Sequence, residues 1–289
     1  MLDTDARQLG PSRAPPGRRV IVEIRGGPLS CRKAILDPGR TLRIGRTDRA
    51  DLVVPRDHQM SAVHFELTWD GAHCRIRDLG SARSTFLQGE RVSDAEVTNG
   101  AWIRAGETSL MVYFEGHSPP GASAPAPVEE KLLALHALQR EVGALYAVID
   151  ASRGARPLQL LRESVDEHRS LYDGVKGEAL AHCAPYLVAF RRDSGLLERL
   201  VREGWGAGWG IYLSCTRPFD EVRRHFRRFL LVEDDETGQK YYFRFYDPSA
   251  LRIFVPTCTT RQRQDFFGEL ACFWAEGEQG ELIRLDPEG

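Results

Sequence analysis

The segment GHSPPGASAPAPV, residues 116–128, divides the chain into two parts of different character. It contains no Asp, Glu, Lys or Arg, and Val128 is its only large apolar side chain. Its four prolines block helix formation and remove backbone donors that a sheet needs, so the segment cannot bury enough surface to fold by itself. We expect a Pro/Ala/Gly/Ser linker that leaves residues 1–115 and residues 129–289 without rigid coupling.

Before the linker, short apolar runs alternate with turn signals, a pattern typical of a β-sandwich. The runs are Val20–Ile24, Thr41–Ile44, Leu52–Val54, His64–Thr68, Cys74–Ile76, Trp102–Ile103 and Leu110–Phe114. Signals such as Asp70-Gly71 and Asn99-Gly100 separate them. Residues 1–18 have no apolar core of the kind that export signals contain, and we expect a disordered leader there.

After the linker, longer helical patterns are interspersed with strand-like runs, which predicts a mixed α/β domain over residues 129–289. The helical patterns are Glu129–Leu145, Pro157–Val165, Gly195–Val201 and Asp220–Phe229. The strand-like runs are Tyr146–Ile149, Tyr186–Phe190, Gly210–Ser214, Leu230–Glu233 and Tyr241–Tyr246. The predicted fold class is therefore multidomain, with an all-β sandwich over residues 19–115 followed by this α/β domain.

Composition limits the classes of function. The chain has 39 Lys+Arg and 41 Asp+Glu, and residues 117–289 contain 22 basic and 26 acidic residues, so no basic excess drives nucleic-acid binding. No uncharged apolar run approaches the roughly 18 to 20 residues that a membrane span requires. None of the six cysteines lies within four residues of another, which argues against zinc knuckles and a disulfide framework. We expect a cytoplasmic protein that binds neither nucleic acid nor membrane.

Catalytic signatures are scarce. Gly-x-Ser-x-Gly, Walker and His-Glu-x-x-His motifs are all absent from the sequence. The glycine-rich run at 204–210 does not fit a nucleotide loop, because Trp209 stands where the third glycine belongs. We therefore expect no catalytic residue, cofactor or metal, and the alternative of an enzyme with Cys183 or Cys215 as nucleophile stays open.

Three clusters in the first part have the chemistry of a binding site. They are Arg43-Ile44-Gly45-Arg46, Ser61-Ala62-Val63-His64, and a third that runs from Asp78 to Gly89. Loops at one end of a sandwich commonly carry recognition residues on a rigid scaffold. The Arg46 guanidinium can bind a phosphate or carboxylate, and the Ser61 hydroxyl can add a hydrogen bond.

In this order and spacing, the clusters resemble a forkhead-associated (FHA) domain from about Arg19 to Glu115. The resemblance implies a twisted β-sandwich that binds phosphothreonine peptides through loops at one end. By motif position, Gly45 and Arg46 match the phosphate-binding Gly-Arg pair, and Ser61 matches the phosphate-contacting serine. His64 matches the histidine that braces the loop.

The third cluster departs from the FHA pattern. Arg83-Ser84-Thr85 replaces the family's Asn-Gly-Thr, Ala62 replaces a residue that is often basic or Asn, and Gln88 replaces a later Asn. The candidate phosphopeptide-binding residues are Arg46, Ser61, Arg83 and Thr85, with Gly45 and His64 supporting the loops. Arg83 either adds a second charge to the phosphate or fills the groove, and a phosphate-independent docking role is the alternative.

A dense basic cluster lies in the predicted helix near residue 225. On a helix, Arg223 and Arg227 share one face, and Arg224 and Arg228 share another. The cluster is either a solvated face balanced by acidic residues 233–236 or a surface for an anionic partner.

The second part contains an ordered series of motifs: Leu145–Asp150, Ser170–Gly174, Ala184–Val188, Trp209–Leu213, His225–Phe229 and Phe243–Pro248. In this order they resemble the effector adaptor/chaperone domain of type VI secretion systems, over about Leu145 to Trp274. The resemblance implies a non-enzymatic protein that binds an N-terminal segment of a toxic effector in the cytoplasm and helps load it onto the VgrG spike. Candidate partner-binding residues are Arg223, Arg224, Arg227, Arg228, Arg244 and Asp247.

Both resemblances together predict a two-domain adaptor with an effector, the VgrG spike and a phosphothreonine protein as candidate partners. The alternative is a phosphothreonine-dependent signalling scaffold with no role in effector loading, whose second part is a dimerisation platform.

Overall fold

The computed structural model describes residues 18–25, 29–122, 128–142, 144–233 and 238–288. Residues 1–17 of the predicted leader and residues 123–127 of the predicted linker lie outside these ranges. Among the described residues, none of the helices has the length and apolar character needed to cross a bilayer.

The first part is a sandwich of two sheets. Its strands are β1 (Val20–Arg25), β2 (Lys33–Leu36), β3 (Arg40–Gly45), β4 (Leu52–Val53), β5 (Phe65–Trp69), β6 (Cys74–Asp78), β7 (Thr85–Leu87), β8 (Glu90–Val92), β9 (Asp94–Val97), β10 (Ala101–Ala105) and β11 (Thr108–Phe114). One sheet has the order β2-β1-β11-β10-β7-β8 and the other β4-β3-β5-β6-β9. Alternate side chains of the two sheets, such as Val22, Phe65 and Val112, meet in one fully buried core.

The second part alternates helices with strands. Its helices are α1 (Val128–Val142), α2 (Ala155–Arg162), α3 (Gly174–Ala179), α4 (Leu196–Gly204), α5 (Phe219–Arg227), α6 (Pro248–Thr257) and α7 (Thr260–Phe267). Its strands are β12 (Leu145–Asp150), β13 (Glu167–Ser170), β14 (Pro185–Ala189), β15 (Gly210–Cys215), β16 (Leu231–Glu233), β17 (Lys240–Tyr242), β18 (Leu270–Glu276) and β19 (Leu282–Leu285). The predicted fold class, a sandwich followed by a region that mixes strands and helices, is confirmed.

A six-stranded antiparallel sheet of order β13-β14-β12-β15-β18-β19 forms the middle layer of this domain. Strand β12 is buried along its whole length, because successive side chains enter different cores. Leu145, Ala147 and Ile149 pack with α1, α2 and α4 on one face. Tyr146 and Val148 pack with α5, α6 and α7 on the other. The result is a three-layer α/β/α arrangement.

The chain around Pro248 differs from the sequence-based prediction. The strand predicted over Tyr241–Tyr246 ends at Tyr242, and Pro248 is the first residue of α6. The Asp247 carboxylate accepts a hydrogen bond from the Ser249 backbone N–H at 2.9 Å, so it caps the new helix. Proline is favoured at the first helical position because the N–H it lacks would have no partner there.

The two parts pack directly against each other, contrary to the expected absence of rigid coupling. Ile21 and Tyr113 of the sandwich form an apolar cluster with Val165, which follows α2. The Lys33 ammonium donates hydrogen bonds across this interface to the backbone oxygens of Leu161, Ser164 and Asp166 at 3.3, 2.6 and 2.9 Å. These carbonyls lie at and beyond the last turn of α2, where a positive charge is favoured by the helix dipole.

The described portion of the predicted linker is also held in place. The Glu163 carboxylate, which is 4% exposed, accepts hydrogen bonds from the Ser118 N–H and hydroxyl at 2.8 and 2.6 Å. The Arg199 guanidinium donates to the carbonyls of Ser118 and Pro119 at 3.0 and 3.2 Å. Arg19 adds a third polar contact, pairing with Glu115 in its own domain and with Asp193 in the other, both at 2.7 Å.

Replacing Lys33 with Ala should destabilise the full-length protein by about 1–3 kcal/mol, because three carbonyl oxygens at the interface lose their donor. Arg32→Ala is the matched control: Arg32 is the exposed neighbour, and its loss should stay within about 0.5 kcal/mol. Urea denaturation of both variants measures the difference. Equal stability of the two variants would contradict the role assigned to Lys33.

Candidate functional site

Three loops that carry the predicted phosphopeptide residues meet at one end of the sandwich. Strand β3 ends at Gly45, the chain returns into β5 after His64, and β7 begins at Thr85. The Arg46 N–H donates to the Ser61 carbonyl at 2.9 Å, which joins the first two loops. A Cβ at position 45 would lie 2.3 Å from the Ala62 carbonyl oxygen, so only glycine allows this close approach.

His64 connects the second and third loops from a fully buried position. Its Nδ1 accepts a hydrogen bond from the Ser61 N–H at 3.1 Å, so this nitrogen carries no proton. The proton therefore lies on Nε2, which donates to the Ser84 carbonyl at 3.1 Å. The imidazole thus fixes the spacing of the two loops.

Arg46 and Ser61 lie side by side with polar atoms available. The Nε of Arg46 donates to the Met60 carbonyl at 3.2 Å, while neither terminal nitrogen has a hydrogen-bond partner among the described residues. The Ser61 Oγ accepts from the Ala82 N–H at 3.2 Å, and its own proton is therefore free to donate. Two guanidinium NH2 groups and one hydroxyl donor make an arrangement suited to an anion with several acceptor oxygens.

Thr85 was predicted to contact the peptide, but the structure places it inside the domain. It is fully buried, and its hydroxyl donates to Asp78 Oδ2 at 2.6 Å. Ser81 donates to the same carboxylate through both its N–H and its hydroxyl, at 2.9 and 2.6 Å. Although burial opposes it, these hydrogen bonds hold the pKa of Asp78 below its ordinary value. Thr85 therefore supports the third loop rather than the ligand.

Arg83 is exposed at the tip of the third loop and has no hydrogen-bond or ion-pair partner among the described residues. Its neighbour Ser84 has a φ of 60°, the left-handed conformation that the family's glycine adopts without strain. The guanidinium therefore does not fill the groove through a fixed contact.

Sequence reasoning missed Asp57, which anchors the loop before Ser61. This carboxylate is 4% exposed and accepts from the Gln59 and Met60 N–H groups at 3.0 and 3.1 Å. It also accepts from the Glu107 N–H at 2.8 Å, which ties the loop to the turn between β10 and β11. Asp57 lies two residues before Gln59 and three before Met60, the spacing at which an Asp side chain binds backbone N–H groups in an Asx turn. This signal was present in the sequence.

The basic cluster divides into two sides on α5. Arg223 and Arg227 are partly buried and face Asp173 at 3.7 and 2.7 Å, and Arg223 also donates to the Ser170 carbonyl. Arg224 and Arg228 are exposed, and neither has a carboxylate partner among the described residues. Arg223 and Arg227 therefore pair with a carboxylate of their own domain, and their role as partner contacts stays a prediction.

Arg244 and Asp247 also form internal ion pairs. Arg244 pairs with Asp150, a buried carboxylate at the end of β12, and donates to the Ser152 hydroxyl at 3.1 Å. Asp247 pairs with Arg153 in addition to capping α6. Both predicted partner residues thus join the end of β12 to the start of α6.

Strands β16 and β17 form a separate ribbon whose side chains are all exposed. Its large apolar members are Leu231, Val232, Tyr241 and Tyr242. Tyr242, 68% exposed, touches the rest of the domain through the ring of Tyr172, 6.2 Å away between centroids. Leu231 and Tyr242 are paired across the ribbon and share one face, and exposed apolar surface of this kind is typical of protein–protein contact sites.

The cysteines proposed as nucleophiles have unsuitable surroundings. Burial raises the pKa of the Cys215 thiol, which favours its unreactive protonated form. The Cys183 thiol donates to the Leu180 carbonyl at 3.4 Å. Within the described residues, no group of three or more His, Cys, Asp or Glu is placed to hold a metal ion.

Replacing Gly45 with Ala should destabilise the protein by about 1–3 kcal/mol, because the new methyl group overlaps backbone atoms of residues 62 and 63. Gly195→Ala is the matched control, since Gly195 has a φ of −88° and open space around its Cβ position. Its effect should stay within about 0.5 kcal/mol. Thermal unfolding of both variants tests the close approach, and an unchanged midpoint for Gly45→Ala would contradict it.

Comparison with known proteins gives matches to both parts. The FHA domain model matches residues 42–106, and the model for a domain of unknown function, DUF4123, matches residues 145–265. An FHA domain-containing protein of Arabidopsis thaliana is 33% identical over 81 residues, which cover 27% of this chain and 21% of that relative.

Solved structures that resemble the chain include two FHA domains. The FhaA FHA domain complexed with the intracellular domain of Rv3910 is 30% identical, with a TM-score of 0.30, over 32% of this chain and 98% of that one. The FHA domain of an Arabidopsis thaliana hypothetical protein is 26% identical, with a TM-score of 0.34, over 39% of this chain and 100% of that one. From the family matches and their order, the chain contains an FHA domain followed by a DUF4123 domain.

Proposed function

We propose that this protein is an adaptor in which the FHA domain binds a phosphothreonine segment and the DUF4123 domain binds a type VI secretion effector. In this role the adaptor works in the cytoplasm and helps to load the effector onto the VgrG spike. The FHA part of the proposal rests on one observation above all. The Arg46 guanidinium presents two terminal nitrogens that have no partner among the described residues, beside Ser61 and on loops that His64 holds at fixed spacing.

Phosphothreonine suits this arrangement because it carries about −1.5 to −2 charge and three strong acceptor oxygens at pH 7. Arg46 supplies charged donors, Ser61 supplies a neutral one, and exposed Arg83 adds a positive charge at the mouth of the groove. Loops that are already ordered lose little conformational entropy on binding, which favours affinity.

The effector part of the proposal is supported by the DUF4123 match and by the exposed ribbon β16–β17. A protein that carries another protein needs an apolar surface that stays accessible until the cargo arrives. The Leu231 and Tyr242 side chains, paired across the ribbon, form the most exposed part of such a surface.

Arg46→Ala should weaken binding of a phosphothreonine peptide about ten- to a hundredfold, because hydrogen bonds to charged groups contribute about 1.5 to 3 kcal/mol each. Arg83→Asn should weaken it less, by up to about fivefold, because Arg83 is exposed and its charge is screened. Calorimetric titration of the full-length protein with a phosphothreonine peptide library measures both. Arg40→Ala, an exposed arginine at the other end of β3, is the control and should bind like wild type.

Two results would contradict the proposed binding of phosphothreonine at Arg46 and Ser61 with assistance from Arg83. Failure of wild type to bind any phosphopeptide would remove phosphothreonine recognition from the proposal. Stronger binding by Arg83→Asn would mean that Arg83 obstructs the groove instead of assisting it.

Replacing Leu231 and Tyr242 together with Ser should reduce effector recovery at least about tenfold, because two apolar contacts are lost from the centre of the proposed surface. The experiment purifies tagged full-length protein from its own cells and identifies bound proteins by mass spectrometry. Leu133→Ser is the matched control, since Leu133 is 68% exposed on α1, outside the ribbon. Recovery of a kinase and phosphatase without effector or spike would favour the signalling scaffold instead.

A further inference from the structure

A groove about 350 Å³ in volume lies beside the exposed side of the basic helix α5, on a part of the DUF4123 domain away from the phosphopeptide loops. Its apolar floor is formed by Cys215, Val222, Phe267 and Leu270. Its rim carries three arginines, Arg217, Arg224 and Arg228, and two glutamates, Glu221 and Glu269.

The rim has an excess of positive charge. Arg217 lies 2.9 Å from Glu221 and 3.3 Å from Glu269, so both glutamates of the rim are already engaged by one arginine. Arg224 and Arg228 have no carboxylate partner among the described residues. Two guanidinium groups therefore remain available next to an apolar floor.

His225 holds one of these arginines in position over the groove. Burial lowers the pKa of His225, so the ring is neutral at pH 7. Its Nε2 donates to the Phe266 carbonyl at 2.8 Å, which leaves Nδ1 to accept from the Arg228 guanidinium at 3.1 Å. The floor opens at Gly268, where a Cβ would lie 2.8 Å from the imidazole Cε1 and would displace the ring.

We propose that this groove binds a short protein segment in which large apolar side chains are flanked by carboxylates. The floor accepts the apolar side chains, and Arg224 and Arg228 pair with the carboxylates. Nucleic acid fits less well, since a polyanion gains nothing from the apolar floor. The proposal names the chemistry of an effector segment, and in that respect it rests on the proposed adaptor function.

The arginines of α5 lie on two faces of the helix, so the exposed pair can be changed without the pair that binds Asp173, and this allows a direct test. The probe is a fluorescein-labelled peptide, acetyl-Glu-Asp-Leu-Phe-Asp-Glu-amide, titrated into the full-length protein by fluorescence anisotropy. We expect saturable binding that falls at least about tenfold in the double variant Arg224→Glu/Arg228→Glu and severalfold in Arg224→Gln/Arg228→Gln. The double variant Arg40→Glu/Arg91→Glu changes the net charge equally on two exposed strand residues and should bind like wild type.

Further comparisons separate the possible outcomes. A peptide with Ser in place of Leu and Phe should bind at least about tenfold more weakly, because it leaves the floor empty. The proposal is overturned if the serine peptide binds equally, if the two charge-reversal variants behave alike, or if a DNA duplex or phosphatidylglycerol vesicles displace the probe as well as unlabelled peptide does. A thermal unfolding midpoint within a few degrees of wild type keeps the Gln variant interpretable if the Glu variant fails to fold.

Failure of this inference is distinguishable from failure of the adaptor function. Effector that co-purifies equally with wild type and Arg224→Gln/Arg228→Gln would leave the adaptor role intact and place the cargo elsewhere. Peptide binding that depends on both arginines, without any effector in cell extracts, would retain the groove and contradict the adaptor role.

Discussion

The Lys33 ammonium at the end of α2 is the contact on which the arrangement of the two domains depends. One side chain of the sandwich satisfies three backbone carbonyls of the other domain, at the end of a helix whose dipole favours a cation. Burial lowers the pKa of Lys33 to about 8, although Glu23 and Asp166 oppose the shift, so the group remains mostly charged at pH 7. Removing it leaves buried carbonyls without a donor, and such groups are expensive to leave unpaired.

The same short stretch after α2 organises the rest of the interface. Glu163 receives Ser118 from the start of the predicted linker, and Val165 enters the apolar cluster of the sandwich. Asp166, the next residue, accepts from the Arg191 N–H at 2.6 Å and from the Ser194 hydroxyl, which ties this stretch to the end of β14 and the approach to α4. The two domains are therefore joined by both polar and apolar contacts along this seam.

The sequence predicted what depends on local pattern and missed what depends on a distant partner. Short apolar runs separated by turn signals identified the sandwich, and the spacing of Gly45, Ser61 and His64 identified its loops. The interface could not be found this way, since Lys33 is an ordinary polar residue in a strand and its three acceptors lie more than 120 positions away. Thr85 was assigned to the ligand because a motif match records position but not side-chain direction, and Asp78 binds its hydroxyl inside the domain.

The basic helix α5 shows the same limit of prediction from sequence, and here the limit concerns a candidate binding surface. Helical spacing predicts that Arg223 pairs with Arg227 on one face and Arg224 with Arg228 on another. The Asp173 carboxylate, some 50 residues earlier in the chain, forms ion pairs with Arg223 and Arg227. This contact determines which of the two faces is available to a partner. A charge cluster is a candidate docking surface only where its charges lack partners within the domain. Among the described residues, Arg224 and Arg228 are the two arginines of the cluster without a carboxylate partner.

Fixed packing between the domains also has a consequence for binding. Arg25 at the end of β1 pairs with Ser109, close to the turn that Asp57 ties to the loop before Ser61. The strand that docks on the DUF4123 domain thus runs to the same end of the sandwich as the phosphopeptide loops. For a partner that engages both sites, the second binding step is intramolecular, and its effective concentration is set by the geometry that connects the sites. In the proposed adaptor, phosphothreonine docking therefore presents the partner in a constant orientation to the effector-binding domain.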